Sequence, residues 1–302
     1  MTNLTAAVIG LGSMGLGAAL SLVRAGIPTH GADLRPQPLA ELVAAGGQAA
    51  TSAATAAAGA QVVFVFVVNA AQAEAVLFGP DGAVAAAQPG TVFVLCPTLR
   101  PDQMIALCDR LEQAGMLAID APVSGGAQKA RDGQISIMAS GSDEAFTRIA
   151  PALQAIAAKV FRLGNAPGAG SRMKVINQLL AGVHIASMAE AMVLAAKSGM
   201  DLGTVQNVIT ECAGNSWMFE NRGPQVVSGD YTPFSAVDIF VKDLGIVADT
   251  AEALESPVPQ VDAALKLFRQ ASAQGLGGLA DAAVAKVLAE QAKARLPGDE
   301  TI

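Results

Sequence analysis

The sequence predicts an α/β fold, in which an N-terminal doubly wound Rossmann sheet is followed by an all-α C-terminal domain joined to it by a long helix. Two observations predict the first part: short apolar runs alternate with helical segments, and a glycine-rich turn joins the first run to the first helix. A third observation predicts the second part: strand patterns almost disappear after Gly170. We therefore place a Rossmann domain at residues 1–164 and a helical domain at residues 165–302.

The strands of the first domain are predicted from apolar runs that end at turn residues. The uninterrupted run Val62–Val68 is typical of a strand buried on both faces of a parallel sheet. The other predicted strands are 5–9, 27–33, 92–95, 117–119, 135–139 and 160–163. Helices are predicted between them, and Pro101 suits the first turn of the helix 101–114.

The second domain is predicted to contain helices only. Their predicted spans are 171–198, 202–211, 235–255, 258–274 and 278–295. Gly214, Asn215 and Ser216 indicate a loop ahead of Trp217 and Phe219. These two aromatic side chains either plug a junction between helices or line a substrate pocket.

Charge and cysteine content exclude several classes of protein. A net charge of −7 argues against a nucleic-acid partner, which would require a basic patch or stripe. The strongest apolar run, Val62–Val68, is too short to span a membrane. Cys96, Cys108 and Cys212 are odd in number and widely spaced, which supports neither a disulfide framework nor a zinc site. We expect reduced thiols, no bound metal and a cytoplasmic location.

The glycine-rich turn predicts a dinucleotide site. Gly10 permits a tight turn, Gly12 lets the backbone approach a pyrophosphate, and Gly15 lets the helix pack closely on the strand. The free N–H groups at the start of the helix would then meet the phosphates. The predicted cofactor-binding turn comprises Gly10, Leu11, Gly12, Ser13, Met14 and Gly15.

Asp33 is placed to select the cofactor. It stands 18 residues after Gly15 (33 − 15), at the end of the second predicted strand, where an acidic residue holds a ribose 2′-hydroxyl. The carboxylate would repel a 2′-phosphate, so the sequence favours NAD over NADP. Arg35 leaves the strictness of that preference open, because an arginine there could bind the 2′-phosphate.

Two further clusters contain chemically useful side chains. Asp120–Gly126 follows a predicted strand, and its Ser124, Gly125 and Gly126 either present a hydroxyl and N–H groups to a carboxylate or form a plain turn. Lys174 and Asn177 are three residues apart on the long helix and share a face. In apolar surroundings Lys174 is either a surface lysine or a partly buried acid/base.

The order of four motifs resembles that of the β-hydroxyacid dehydrogenase family, which includes 3-hydroxyisobutyrate dehydrogenases and tartronate semialdehyde reductases. The motifs are GLGSMG, DAPVSGG, GAGSRMKVINQ and VKDLG, and the similarity extends from Val8 to about Leu288. The family likeness implies roles for individual residues. Lys174 is implied as the catalytic acid/base, Asn177 as a substrate-positioning amide, Ser124, Gly125 and Gly126 as the substrate-carboxylate loop, and Lys242, Thr98, Val68 and Asn69 as cofactor contacts.

At two positions this chain differs from many members of the family. Many relatives carry a second asparagine where this chain has Gln178, and many NADP-using members have Asn-Arg where this chain has Asp33 and Leu34. The second difference again favours NAD. The first puts a substrate clamp of two asparagine amides in doubt.

The resemblance also implies a reaction. Segments around Gln178, Trp217 and Ser235 are most similar to the family members that oxidise L-threonate, which implies oxidation to 2-dehydro-L-erythronate with NAD. Lys174 would take the hydroxyl proton, and burial is expected to lower its pKa for that role. The alternatives are a tartronate semialdehyde reductase, a 3-hydroxyisobutyrate dehydrogenase, an imine reductase and an NAD(H)-binding sensor without activity. Apolar surface on the second domain suggests a homodimer or homotetramer.

Overall fold

A computed structural model describes residues 4–298 of the chain. They divide into two compact units, the first ending at Lys174 and the second beginning at Val175. The division falls within the long helix, later than the position 164 at which the sequence suggests a domain boundary. The first residues of that helix are therefore held by contacts within the first unit.

The first unit is built on one mixed sheet. Its strands are β1 Ala6–Ile9, β2 Thr29–Ala32, β3 Gln48–Ala49, β4 Val62–Val65, β5 Val92–Leu95, β6 Leu117–Asp120, β7 Val123–Ser124, β8 Ile135–Gly141 and β9 Ala157–Arg162. Their order is β3-β2-β1-β4-β5-β6-β8-β7, with β9 also paired to β8. The predicted Rossmann arrangement is confirmed, and β1 to β6 are parallel neighbours.

The far edge of the sheet departs from a purely parallel arrangement. β8 runs antiparallel to both β6 and β7, and Asp120 pairs with Ser140 across the first of these ladders. The chain between β6 and β8 holds β7 and a helix of only six residues. That connection turns the chain back rather than carrying it across the sheet as a full crossover helix does.

Helices connect the strands and make up most of the described part of the second unit. They are α1 Ser13–Arg24, α2 Pro36–Ala44, α3 Ala53–Ala57, α4 Ala70–Phe78, α5 Ala83–Ala86, α6 Pro101–Gln113, α7 Gly126–Arg131, α8 Asp143–Arg148, α9 Ala150–Ile156, α10 Ala169–Lys197, α11 Leu202–Thr210, α12 Trp217–Ser228, α13 Val237–Ala253, α14 Pro259–Ala271 and α15 Val284–Ala292. A π-helical turn, Ser272–Leu276, and a 3₁₀ turn, Asp281–Ala283, precede α15.

The helix α12 is an element of the second unit that the sequence analysis did not predict. Gly223 and Pro224 stand inside it, and such a pair ordinarily ends a helix. The helix is nevertheless supported at its start, where the Ser216 hydroxyl accepts a hydrogen bond from the Phe219 N–H at 3.0 Å. Burial of Phe219 and Val226 in the core of the second unit offsets the cost of the internal proline.

Alternate residues of the central strands face opposite cores. Val62 and Phe64 of β4 pack into one apolar cluster, whereas Val63 and Val65 pack into the other. Because both faces of the sheet are covered at β4, every residue of this strand is apolar, as the sequence analysis inferred.

The second unit is a helical bundle with its own core. Ile185, Met188, Ala189 and Met192 of α10 lie within that core. Among the described residues, α10 is the one helix long and apolar enough to cross a membrane, with a mean hydropathy of 1.7, but half of its most apolar stretch is buried inside the protein. Met200 lies beyond the end of α10 and is 55% exposed.

Candidate active site

The turn after β1 has the geometry that its glycines predict. Gly10 has φ +88°, and a Cβ there would lie 2.5 Å from the Phe66 carbonyl oxygen. A Cβ on Gly15 would lie 1.9 Å from the Gly10 carbonyl oxygen. Both positions therefore exclude any larger residue, and β1 and α1 pack in direct backbone contact.

Gly12 differs from its neighbours because the space beside it is open. No atom lies within 4 Å of the position of a Cβ on Gly12, and no side chain caps α1 there. The N–H groups of the first turn of α1 thus face a free approach, since no side-chain oxygen occupies them. A helix N-terminus with open space and no competing cap is suited to phosphate oxygens.

Asp33 lies directly after β2 and is tied to the glycine-rich turn. Its Oδ2 accepts the Leu11 N–H at 2.7 Å, and Arg35 Nε and Nη2 donate to its two oxygens at 3.0 and 3.1 Å. The Asp33 side chain is 9% exposed. Burial by itself raises the pKa of this carboxyl, but hydrogen bonds from Arg35 and Leu11 outweigh burial and hold the pKa below its ordinary value.

The other implied cofactor contacts lie at neighbouring strand ends. β1, β2, β4 and β5 are parallel neighbours, so the residues that follow them lie at one edge of the sheet. Val68 and Asn69 follow β4, where Asn69 Oδ1 caps α4 by accepting the Gln72 N–H at 2.9 Å. Thr98 follows β5 and is half-buried.

The loop after β6 contains the predicted carboxylate-binding residues. Ser124 ends β7, where it pairs with Ser136 of β8. Gly125 and Gly126 follow with φ +132° and +78°, which turn the chain sharply into α7. Positive φ at two successive residues explains why glycines stand there.

Asp120, at the end of β6, holds the start of α10. It is fully buried, and its Oδ2 accepts the N–H groups of Gly168 and Ser171 at 2.9 and 2.8 Å. Its Oδ1 accepts the Ser171 hydroxyl at 2.7 Å, and Ser140 Oγ lies 3.3 Å from Oδ2. Burial raises the pKa of Asp120, although these hydrogen bonds act in the opposite direction.

Lys174 is buried beside the same loop. It is 7% exposed, and its Nζ donates to the Val123 carbonyl oxygen at 2.8 Å. Residues 120–123 thus contact both the first turn of α10 and the amine that the helix carries. This burial favours the acid/base interpretation of Lys174 over that of a surface lysine.

The implied site residues of the second unit form a separate network. Asn177 Nδ2 donates to Gln178 Oε1 at 2.8 Å, and Gln178 Nε2 donates to Asp243 Oδ2. Lys242 Nζ lies 2.5 Å from Asp243 Oδ1. Asp243 is 2% exposed, so its carboxylate is buried between the amide and the ammonium group.

Comparison with known proteins agrees with these features. Residues 5–164 match the NAD-binding domain of 6-phosphogluconate dehydrogenase, and residues 168–288 match the NAD-binding domain of NADP-dependent 3-hydroxyisobutyrate dehydrogenase. An L-threonate dehydrogenase of Cupriavidus necator is 53% identical over 93% of this chain and 94% of its own length. One from Haemophilus influenzae is 49% identical over 94% of this chain and 95% of its own length.

A solved structure extends the similarity to the fold. The crystal structure of a 3-hydroxyisobutyrate dehydrogenase from Salmonella typhimurium superposes with a TM-score of 0.91 at 51% identity, covering 94% of this chain and all of that one. The chain belongs to the 3-hydroxyisobutyrate dehydrogenase-like family of β-hydroxyacid dehydrogenases. It is a dehydrogenase that uses a nicotinamide dinucleotide, as the sequence predicts.

The first unit of this β-hydroxyacid dehydrogenase fits such a cofactor. The open space beside Gly12 and the uncapped start of α1 suit a pyrophosphate. Asp33 presents a carboxylate at the end of the next strand, which suits a ribose hydroxyl.

Two residues of the dehydrogenase were not singled out from the sequence. Asp120 and Asp243 both lie within quoted motifs, yet each accepts a hydrogen bond from a residue distant along the chain: Asp120 from Gly168, 48 residues away, and Asp243 from Gln178, 65 residues away. The available clue was a carboxylate within an apolar segment, since such a group is buried only with partners. Of the two aromatic residues left open, Phe219 is buried in the helical core, whereas Trp217 is 45% exposed.

Proposed function

We propose that this enzyme oxidises L-threonate at the carbon next to the carboxylate, giving 2-dehydro-L-erythronate, with NAD as the oxidant. The observation that carries the proposal is the buried amine of Lys174, held 2.8 Å from the Val123 carbonyl oxygen beside the predicted carboxylate loop. The identity of about one half to L-threonate dehydrogenases over 93% of the chain supports the choice of substrate.

The choice of NAD rests on Asp33. Its carboxylate is ionised at neutral pH because its pKa lies below the ordinary value. An ionised carboxylate accepts hydrogen bonds from a ribose 2′-hydroxyl and repels a 2′-phosphate. Arg35 is already engaged by both oxygens of Asp33, which reduces its availability for a phosphate.

The chain's own residues account for binding and proton transfer. Gly10, Leu11, Gly12, Ser13, Met14 and Gly15 would hold the pyrophosphate, with Asp33 on the ribose and Val68, Asn69, Thr98 and Lys242 as further cofactor contacts. When bound, the nicotinamide supplies the hydride acceptor. Ser124, Gly125 and Gly126 would bind the substrate carboxylate with a hydroxyl and backbone N–H groups.

Lys174 would act as general base in the oxidation and as general acid in the reverse direction. Its burial shields Nζ from bulk water, so that the proton passes between Nζ and the substrate hydroxyl. Val123 O fixes one donor direction of the amine, and Asp120 fixes the helix turn that carries it. Asn177 would position the substrate one helix turn further on.

A second candidate is a 3-hydroxyisobutyrate dehydrogenase, favoured by the 51% identity to the Salmonella typhimurium structure of that name. A tartronate semialdehyde reductase would use the same groups in the reducing direction. These alternatives share the proposed catalytic residues and differ in the acid that is bound.

Reduction of NAD and NADP by the purified enzyme decides between them. The panel is L-threonate, D-erythronate, D-glycerate and 3-hydroxyisobutyrate. NAD-linked turnover of L-threonate above the other acids is expected. Preference for 3-hydroxyisobutyrate or glycerate would retain the family and replace the substrate. No turnover of any acid, together with NADH binding, would favour an NAD(H)-binding protein.

The proposal also includes a cytoplasmic homodimer or homotetramer. Ile176 and Leu180 of α10 are 55% and 50% exposed, and exposed apolar residues on one helix favour association. The buried thiols of Cys96 and Cys108 are free, in keeping with a reducing compartment. Sedimentation velocity of the full chain tests the assembly, and a monomer at micromolar concentration would contradict it.

A further inference from the structure

The hydrogen bonds that end at Asp243 have a fixed direction. A carboxylate only accepts hydrogen bonds, so Gln178 must turn its NH₂ group towards Asp243. Its Oε1 then faces Asn177 and can only accept, which turns the Asn177 NH₂ group towards Gln178. The other polar side-chain atom of Asn177, its Oδ1, takes no part in these two hydrogen bonds and is left as an acceptor.

Reversing either amide is costly in this place. If the Gln178 amide were rotated by 180°, its Oε1 would face the Asp243 carboxylate. If the Asn177 amide were rotated, its Oδ1 would face the Gln178 Oε1. Gln178 is 6% exposed and Asp243 is 2% exposed, so water does not replace the lost hydrogen bonds. The ammonium group of Lys242 lies 2.5 Å from Asp243 Oδ1, on the other oxygen of the same carboxylate.

We propose that Gln178 and Asp243 are positioning residues that make Asn177 an acceptor for a second substrate hydroxyl, adjacent to the one that is oxidised. Asn177 follows Lys174 by three residues in α10, a rise of about 4.5 Å along the helix axis. If Lys174 meets the reacting hydroxyl, the next acceptor along the helix suits its vicinal neighbour. The inference rests on the proposed function and selects 2,3-dihydroxy acids as the substrate class.

The length of the Gln178 side chain is needed for this pair of hydrogen bonds. An asparagine at this position would be one methylene shorter, about 1.5 Å, and could not reach both Asn177 and Asp243. The residue that departs from the common family pattern therefore acts as a bridge, without contacting substrate itself. Asn177 contacts the substrate, and Gln178 determines which end of its amide is presented.

The test compares two acids that differ by one hydroxyl. L-threonate and the 2,4-dihydroxybutanoate of matching configuration at C2 are assayed with the wild type and with Gln178→Met. The variant should lower kcat/KM for L-threonate roughly tenfold, mainly through KM, because an oriented hydrogen bond is lost. For 2,4-dihydroxybutanoate kcat/KM should change less than about twofold, so the preference between the acids collapses.

Two further variants complete the design. Gln178→Asn keeps an amide but shortens it, and the same loss of preference is expected. Gln260→Met, on the exposed surface of α14, is the matched control and should leave both acids unchanged. Titration calorimetry of L-threonate into the enzyme–NADH complex should show a tenfold weaker Kd for Gln178→Met, with the Kd of NADH unaltered.

Three outcomes would overturn the inference. An equal fall for both acids would show that Gln178 only supports the fold. No fall in kcat/KM for either acid would show that the Asn177 amide is oriented by other means. If the wild type neither oxidises nor binds L-threonate, the proposed function is wrong and the inference falls with it, and that result is separate from the first two because it is seen without any variant.

Discussion

At the scale of single residues, Lys174 carries the chemistry proposed for this enzyme. Lys174→Ala removes the amine that lies 2.8 Å from Val123 O. Turnover should fall by roughly 10² to 10⁴-fold, the usual contribution of general acid–base catalysis, with NADH affinity within about twofold of the wild type. Steady-state kinetics and NADH fluorescence titration measure the two effects. Lys197→Ala, near the far end of the same helix, is the control, and retained turnover in Lys174→Ala would contradict the assignment.

Asp33 and Arg35 together determine the preference between cofactors. Asp33→Ser removes the carboxylate that both binds the ribose and occupies the Arg35 guanidinium. We expect kcat/KM with NAD to fall at least roughly tenfold and kcat/KM with NADP to rise, because the freed arginine can meet a 2′-phosphate.

The double variant Asp33→Ser/Arg35→Ala is the control for this prediction. It should lose the gain with NADP while keeping the loss with NAD, since the arginine alone supplies the new contact. If the double variant keeps the gain, Arg35 does not bind the 2′-phosphate.

At the scale of elements, two substitutions in the turn between β1 and α1 should distinguish an effect on cofactor binding from an effect on folding. Gly12→Ala meets open space and should leave the melting temperature within about 2 °C of the wild type, yet the added methyl group lies where a pyrophosphate would approach. NADH affinity should fall at least roughly tenfold. Gly15→Ala, whose Cβ would lie 1.9 Å from Gly10 O, should instead lower the melting temperature. Equal effects in both variants would argue against a phosphate site at Gly12.

The start of α10 depends on Asp120. Asp120→Ala leaves the buried N–H groups of Gly168 and Ser171 without their acceptor and should cost about 2–4 kcal/mol of the free energy of unfolding. Urea denaturation measures it. Asp109→Ala, on the exposed face of α6, should cost less than about 0.5 kcal/mol.

The same carboxyl gives a pH dependence of stability. Because burial raises the pKa of Asp120 in the folded chain, the folded state binds more protons than the unfolded state as pH rises from 3.8 upward. The stability that this carboxyl contributes is greatest below pH 3.8. It is lost as the pH rises through the raised pKa of Asp120 in the folded state. Relative to Asp120→Asn, the wild type should therefore lose stability on going from about pH 4 to pH 7. A constant difference between the two proteins would contradict the raised pKa.

At the scale of the whole molecule, a buried ion pair of the second unit should contribute to stability without contributing to cofactor binding. Arg222 Nε donates to Asp281 Oδ1 at 2.7 Å within the second unit, and the two side chains are 9% and 0% exposed. Arg222→Met leaves a buried carboxylate without its cation and should cost about 3–5 kcal/mol. Its NADH affinity below the melting temperature should be retained, because Arg222 and Asp281 are not among the residues proposed to hold the cofactor.

Arg131→Met is the matched control for that prediction. Its ion pair with Glu41 is 43% exposed on both sides, so its loss should cost no more than about 1 kcal/mol. Calorimetric unfolding compares the two variants. A loss of NADH binding in Arg222→Met at low temperature would show that this ion pair also contributes to cofactor binding.

Much of the first unit was readable from the sequence because its determinants are local. The fully buried strand β4 and the glycines of the β1–α1 turn follow from residue type alone. The position of Asp33 follows from the length of one helix and one strand. The antiparallel edge formed by β8 was not readable, since strand direction depends on how the connection through β7 and α7 folds back.

The sequence by itself determined the fold class, the dinucleotide turn and the identity of Lys174 as a candidate, since each depends on residue type and short spacing. Only the tertiary structure decided that Lys174 is buried, that Asp120 holds the helix beneath it and that Asp243 directs the Asn177 amide through Gln178. The physical reason is distance along the chain. Hydrogen bonds between residues 48 to 65 positions apart form only when folding brings their elements together, and no local pattern encodes them.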